Sequence, residues 1–260
     1  MAESSARNDL ILTEKRGHIL IITINRPEAR NAFDGATAAK MEAAIDEFED
    51  TPELRVAIIT GAGKAFSAGQ DLKAAARGDM GGTKKRGGFG IMAMPPTKPV
   101  IAAVEGHAVA GGLELCLSCD LIVAARDARM GVPEVRHNLV AIGGALFRLP
   151  KRIPYHVAME LALTAETPTA EFFHRFGLVN RLAEPGHALE VAIELAERIL
   201  KNGPLAVAAS KQILQRSGQW TEAQAWTEQM KIAGPAVRSE DTKEGLRAFA
   251  EKREPVWKGK

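Results

Sequence analysis

Two glutamates and a few glycine-bearing segments hold the residues of this chain whose types and spacing could do chemistry. Glu114 follows Gly111-Gly112-Leu113 and falls in the first turn of a helix that the pattern starts near Gly111. Glu134 stands 20 residues later, on a loop after Met130-Gly131-Val132-Pro133. Two carboxyls whose surroundings push their pKa values apart can serve as base and acid at one neutral pH. Taken singly, each has a plainer reading: Glu114 suits a helix dipole, and Glu134 is a loop carboxylate. The glycines divide the same way. Gly69 and Gly111-Gly112 can be turn residues of positive φ. A glycine that opens a helix also leaves unbonded N–H groups that favour an anion, and lets a ligand come close to the backbone.

Other candidates are weaker. Cys116-Leu117-Ser118-Cys119 has the spacing of a redox pair or half a zinc site, but no second pair supplies the two further ligands zinc needs. The cysteines are therefore read as small buried residues on the Glu114 helix, and no metal is expected. Gly61-Ala62-Gly63-Lys64 lacks the spacing of a phosphate loop. Residues 77–90 are glycine-rich and basic, with Lys84-Lys85-Arg86 followed by Gly87-Gly88, and are read as a mobile loop. An RNA-binding protein using residues 81–90 is the alternative from another functional class.

The elements that would position these residues are legible in outline. Leu10–Glu14 and His18–Asn25 are β-rich, with a turn at Lys15-Arg16-Gly17, and Pro27 closes the second strand. Met41, Ala44, Ile45 and Phe48 recur at helical spacing within 37–48. Val56–Thr60, Val100–Val104 and Leu121–Ala125 read as buried strands, the first two ending at glycine turns. The second half reads as helices over 156–163, 170–176, 188–201, 206–216, 222–233 and 243–252, with Gly177 and Asn202-Gly203-Pro204 as stops. No sequence repeat of 20 to 50 residues is visible.

The 260 residues can bury a sizeable core, as one large domain or a domain with an appendage. Aromatics make up 5% of the chain, with a single tyrosine, so the core must rest on Ala, Val, Leu and Ile. A net charge of +2 is too mild for a nucleic-acid partner and suits an acidic small molecule. Two cysteines make no disulfide framework. The polar start, Met1 to Asp9, is unlike a signal peptide, and the longest apolar runs are too short for a bilayer. Lys258-Gly259-Lys260 is no peroxisomal address. The cytoplasm is the expected compartment, with no membrane partner.

In order and spacing, Lys64–Leu72, Val100–Leu115 and Met130–Glu134 resemble the crotonase (enoyl-CoA hydratase/isomerase) family. The resemblance runs from Ile24-Asn25-Arg26-Pro27 to Phe249-Ala250-Glu251-Lys252-Arg253. Phe147-Arg148-Leu149-Pro150 and the ending Pro255–Lys260 also look like the carnitinyl-CoA dehydratase branch. It implies an α/β fold, the ClpP/crotonase-like spiral of ββα repeats over 1–200, then a C-terminal helical region, 201–260, that forms a homotrimer or dimer of trimers. The implied activity is that of an enoyl-CoA hydratase, adding water reversibly across the 2-trans double bond of an acyl-CoA thioester. An isomerase or a carnitinyl-CoA-type dehydratase is the nearest alternative.

By the same resemblance, the amides of Gln70 and Gly111 are the oxyanion hole, and Glu114 and Glu134 are catalytic. One of the glutamates activates water and the other moves the α proton. Ala29, Ala68, Asp71 and Leu72 would meet CoA, as would Phe249 and Lys252, the latter able to come from a neighbouring subunit. CoA is part of the substrate, and no cofactor is needed. Only the N–H matters at Gln70, so its side chain is free to vary. After Glu134 the chain departs from the family, with Val140-Ala141-Ile142-Gly143-Gly144 where a Pro-Gly-Xaa-Gly-Gly loop is common, and with Arg136 and His137 nearby. Ile142 is expected to narrow the space beyond the β carbon, and His137 to be a surface residue.

Overall fold

The computed structural model describes residues 9–260; the polar segment 1–8 lies outside them. The chain opens with an antiparallel hairpin of β1 (Ile11–Arg16) and β2 (Ile19–Ile24), paired from Ile11↔Ile24 to Arg16↔Ile19. Lys15 and Arg16 belong to β1, so the turn is tighter than the expected Lys15-Arg16-Gly17. Gly17, at φ +56°, supplies the left-handed residue it needs. The helix read over 37–48 is α1 (Gly35–Asp50), started by the Asp34 side chain accepting from the Thr37 N–H. Its Met41, Ala44, Ile45 and Phe48 are buried, as their spacing requires.

Beyond α1 the chain winds into a spiral of three turns. The first runs β3 (Val56–Gly61), a short extended stretch at Ser67, and α2 (Leu72–Ala75). The second runs β6 (Val100–Val104), β7 (His107–Val109) and α3 (Gly111–Cys116), after the small hairpin of β4 (Gly82–Thr83) and β5 (Gly87–Gly88). The third runs β8 (Leu121–Ala125), β9 (Arg129–Gly131) and a 3₁₀ helix, Pro133–His137. Beyond it lie α4 (Ala145–Arg148), α5 (Tyr155–Thr164), α6 (Ala170–Arg175), β10 (Arg181–Ala183) and α7 (Ala188–Leu200). The repeat absent from the sequence is therefore present in the backbone.

The first strand of each turn joins a six-stranded sheet of order β1-β2-β3-β6-β8-β10, parallel except for β1. Both faces are covered, as a parallel sheet requires. Leu20, Ile22 and Ile24 point into the main core; Ile19 and Ile21 point to the other face, which α7 covers. Small Ala192 and Ala196 let α7 lie close on that face. The core is aliphatic, as composition demands, but four of the nine phenylalanines, Phe33, Phe48, Phe66 and Phe173, are fully buried in it.

The second strands form their own parallel row, with Ser67 bridged to Ala108 and Ala108 paired with Met130. Neighbouring strands in such a row lie about 4.8 Å apart. The residues after each of them in sequence are stacked against their counterparts in the next turn.

Four expectations are corrected by the fold. Residues 77–90 are not a mobile loop, because Arg86 is buried, pairs with Asp46 at 2.7 Å and donates to the Met94 carbonyl. Lys85 also pairs with Asp46 at 2.7 Å, so two of the three cations offered to RNA are already engaged. The helix expected to end at Ala233 is α9 (Glu222–Val237), which passes through Pro235. Gly234 before it has no Cβ to meet the proline ring. Finally, α3 ends at Cys116, leaving Cys119 in the turn beyond.

The C-terminal helices α8 (Pro204–Ser217), α9 and α10 (Glu240–Glu251) pack on one another, and the tail returns to the core. Trp257 donates from Nε1 to the Lys201 carbonyl and accepts from Arg55, while Asp241 accepts the N–H groups of Lys258 and Gly259. Among the described residues, no helix is long and apolar enough to cross a membrane.

Candidate active site

The row of second strands decides the site. Gln70 lies three residues after Ser67, Gly111 three after Ala108, and Glu134 four after Met130. Gln70 is bridged in parallel to Phe33, with the Phe33 N–H donating to Gly69 and the Phe33 carbonyl accepting from Asp71. In that pattern the N–H of Gln70 itself points away from Phe33. Gly111 is the first residue of α3, where an N–H has no intrahelical acceptor. Among the described residues neither amide donates a hydrogen bond. They are close together: a Cβ placed on Gly69 would lie 2.7 Å from the Gly111 nitrogen.

Other side chains fix these amides. Arg26 pairs with Asp71 at 3.0 Å and with Asp34 at 3.3 Å, and Asp71 accepts from the Lys73 and Ala74 N–H groups. Those hydrogen bonds and Arg26 hold the Asp71 carboxyl below its usual pKa range. Buried Asn31 bonds Ala62 and Ala65, and its carbonyl accepts from Ser67. The Gln70 side chain is not idle either; its Nε2 donates to the Asp79 carbonyl at 3.0 Å and ties down the 79–81 turn. Phe89, stacked on Phe33 with centroids 4.2 Å apart, stands 2.6 Å from where a Gly111 Cβ would be. Gly111 is thus required by the ring as well as by any ligand.

Glu114 is 5% exposed, in the first turn of α3. Its Oε1 accepts from the Ala145 N–H at 3.1 Å. Burial raises its pKa, and the amides of Ala145, Gly143 and Gly144 together with the Arg148 charge oppose the rise. A Cβ on Gly143 would lie 2.5 Å from Oε2, so only glycine leaves room for the carboxylate there.

Glu134 sits on the 3₁₀ helix rather than on an irregular loop. Its Oε2 is buried and has no hydrogen-bond partner among the described residues. Burial, and then the nearby Glu114 charge, push this carboxyl up to about 7. It opens on a cavity of about 320 Å³ walled by Val135, Val140, Leu146, Leu149, Met159 and Leu163. An apolar cavity with one convergent polar group is the form of a small-molecule site.

A family model for enoyl-CoA hydratase/isomerase matches residues 14–260. The chain belongs to that family. It is 41% identical over 251 residues to enoyl-CoA hydratase EchA19 of Mycobacterium tuberculosis, covering 94% of each. To carnitinyl-CoA dehydratase of Salmonella typhimurium it is 42% identical over 254 residues, 95% of this chain and 97% of that one. The solved enoyl-CoA hydratase of M. tuberculosis H37Rv superposes with a TM-score of 0.94 at 55% identity, over 96% of this chain and 99% of that one. The ββα spiral is thus the fold of the enoyl-CoA hydratase/isomerase family.

Of the residues that the family resemblance implied, Gln70, Gly111, Glu114 and Glu134 converge. Ala68 and Leu72 flank the Gln70 amide in sequence, with Leu72 exposed, and Asp71 spends its carboxylate on Arg26 and the α2 N-terminus. Ala29 ends a short 3₁₀ turn, Pro27–Ala29, and the Ala68 N–H donates to the Arg30 carbonyl next to it. Phe249, 86% exposed, and Lys252 lie at the far end of α10, and no hydrogen bond joins them to the other site residues.

Ile142 is 81% exposed and does not line the cavity, which corrects its expected role; Val140 and Ala141 beside it do. Arg136 donates to the Ala165 carbonyl and ties the 3₁₀ helix to α5, and His137 is exposed. Cys116 and Cys119 are buried and inert, burial holding the Cys119 thiol at about 12. Residues missed in the sequence are Arg148, the Gly143–Ala145 amides and the α5 wall. The retained Gly143-Gly144 pair before a helix is the available signal for the amides.

A carboxyl raised by burial favours the folded state below its unfolded pKa and loses that advantage as pH rises through its folded value. Glu134→Gln should therefore melt above the wild type at about pH 8, with the gap closing as pH falls through about 7 toward 5. Thermal unfolding followed by circular dichroism checks this, and equal melting temperatures at pH 8 would mean Glu134 is not held against its charge.

Proposed function

We propose that this chain is an enoyl-CoA hydratase, a hydro-lyase acting reversibly on a 2-trans-enoyl-CoA. The observation that carries the reading is the pair of buried carboxyls in unlike settings beside two unbonded amides. Adding water to the β carbon draws charge onto the thioester oxygen. Two preorganised N–H groups meet that charge, each contributing about 2.7–4 kcal/mol in comparable oxyanion holes. Glu114, held by backbone amides that favour its ionised form, is the base that takes a proton from water. Glu134, kept protonated up to about 7, is the acid that gives one to the α carbon. No atom is left over, because the proton taken by Glu114 replaces the one lost by Glu134.

Dehydration uses the same pair with the proton on the other member. The singly protonated pair is therefore active in both directions. The apolar cavity past Glu134 suits the acyl chain, and the unbonded amides together with Ala68–Leu72 suit the thioester and pantetheine. The curated and solved relatives named as hydratases support this choice over an isomerase. The carnitinyl-CoA dehydratase likeness keeps a specialised dehydratase as the second reading.

We further propose a homotrimer or dimer of trimers in the cytoplasm, built on the region 201–260. Leu214, Trp226, Met230, Leu246 and Phe249 are exposed on α8–α10 and form the apolar surface that an interface would cover. Sedimentation of a monomer at micromolar concentration would rule out the assembly.

Glu114→Gln and Glu134→Gln should each lower hydration of crotonyl-CoA, or of whichever enoyl-CoA is turned over fastest, by about 10²–10⁴-fold. In the wild type, kcat/KM should follow one bell in both directions with its falling limb near pH 7, the values belonging to the pair. A glutamine variant at full rate, or a profile flat from about pH 6 to 9, would sink the assignment.

Chain-length preference should follow the cavity wall. Ala162→Leu should depress kcat/KM for longer enoyl-CoAs against crotonyl-CoA by about 10-fold or more, within the 1–3 kcal/mol typical of a methylene in an apolar pocket. Ile142→Gly should leave the profile unchanged. An unaltered profile in Ala162→Leu would detach this cavity from the acyl chain.

A further inference from the structure

We propose that Arg148 is the positioning residue for the Glu114 carboxylate, fixing the Gly143–Ala145 turn that holds it. The proposal rests on Glu114 being the base of the hydratase reading. Arg148, half-buried at the end of α4, donates from Nη1 to the Gly143 carbonyl at 3.2 Å and to Ser118 Oγ at 3.1 Å. From Nη2 it donates to the Met92 carbonyl at 2.6 Å. Ser118 Oγ in turn donates to the backbone carbonyl of Glu114 at 2.8 Å. One planar group thus joins the turn that bonds the carboxylate, the helix that carries it, and the segment whose Met92 packs against Gly143.

The fit is specific to a guanidinium. Gly144, at φ +115°, leaves the space; a Cβ there would stand 2.4 Å from Nη1. A lysine ammonium is a single point donor and cannot span three acceptors in one plane. Because the Ala145 N–H that meets Glu114 lies on the turn Arg148 grips, releasing the grip moves the carboxylate relative to the substrate. A displacement of about 1 Å can cost about 100-fold in rate.

The charged groups around Glu114 are Arg148 from α4 and Glu134 from the 3₁₀ helix. Behind Arg148 stand Arg152, the buried neutral Cys119, and Asp120, which is paired with Lys211 at 2.6 Å. Burial and then Arg152 draw the Arg148 guanidinium below its ordinary pKa, yet an arginine stays protonated. Its charge favours ionised Glu114, so removing it should shift the low-pH limb of the rate profile upward.

The test compares Arg148→Met and Arg148→Lys in the full-length protein with crotonyl-CoA. The methionine variant should lose about 100-fold in kcat with KM within about twofold, and its rising limb should move to higher pH. The lysine variant should keep the wild-type limb and an intermediate kcat. A folded methionine variant with wild-type kcat overturns the proposal, as do two variants depressed alike with an unmoved limb. If circular dichroism shows that the methionine variant does not fold, a double-mutant cycle decides. In a Glu114→Gln background Arg148→Lys should cost no further rate, and a full additive loss overturns the proposal. Glu114→Gln hydrating at full rate brings down the reading of Glu114 itself; an inactive Glu114→Gln beside a fully active Arg148→Met brings down only the role of Arg148.

Discussion

The parallel row Ser67–Ala108–Met130 is the constraint on which the rest of the site depends. Hydrogen-bonded register leaves little freedom: a slip by one residue would invert every side chain and move each succeeding turn. Because each second strand ends in the same layer, the residues just after it fall at the same height in the spiral. Gln70, Gly111 and Glu134 occupy those places, and Glu114 lies one helical turn beyond Gly111. Three separated segments thus meet without any long loop having to reach across. The six-stranded sheet beneath makes this rigid, since both its faces are buried and its register is continuous from β2 to β8.

Two carboxyls inside such a frame carry a cost that the surroundings meet unequally. An unpaired buried charge is expensive, and a group can escape by staying neutral. Glu114 is given backbone N–H donors and a nearby guanidinium. Glu134 has no guanidinium beside it and only its own N–H as a backbone donor; its Oε2 has no partner among the described residues, and the wall beyond it is apolar. Burial raises the pKa of both carboxyls, but the compensation is unequal: the charge of Glu114 is partly offset, and that of Glu134 is offset far less. Gly143 belongs to this arrangement as much as the glutamates do, because a side chain there would occupy the place of Oε2.

The sequence discloses the elements whose signal is local. Strands such as Val100–Val104 and Leu121–Ala125 are unbroken apolar runs between turn residues, and their limits in the fold are those of the runs. The helices are legible from their spacing, with ends displaced where local chemistry decides, as at Pro235 behind Gly234. The glutamates and glycines are visible only through their joint order and spacing, since each alone reads as an ordinary helix-start, loop or turn residue. Long-range partners are not legible. Nothing near Arg86 announces Asp46, 40 residues earlier, and without that partner a glycine-rich basic stretch looks like solvated loop. In the sequence Arg148 stands out only as part of a branch-like string. Its acceptors lie at 92, 118 and 143, and only the fold brings them to one guanidinium.

The departure after Glu134 shows why local strings mislead about specificity. Val140-Ala141-Ile142 differs from the common family loop, and its bulkiest member, Ile142, invites the inference that it narrows the acyl space. The 3₁₀ helix ends at Asn138 in the left-handed conformation, and the chain then turns so that Ala141 faces inward while Ile142 faces out. The wall is completed from α5 by Ala158, Met159, Ala162 and Leu163, and Arg136 holds the two sides together through the Ala165 carbonyl. The two amides come from the first and second turns of the spiral, whereas the apolar wall comes from the end of the third turn, the segment 140–150 with α4, and α5. Under the proposed reading, thioester chemistry and chain-length choice are carried by different segments. The wall can change with little effect on the amides, provided that Gly143, Gly144 and the grip on the turn are kept.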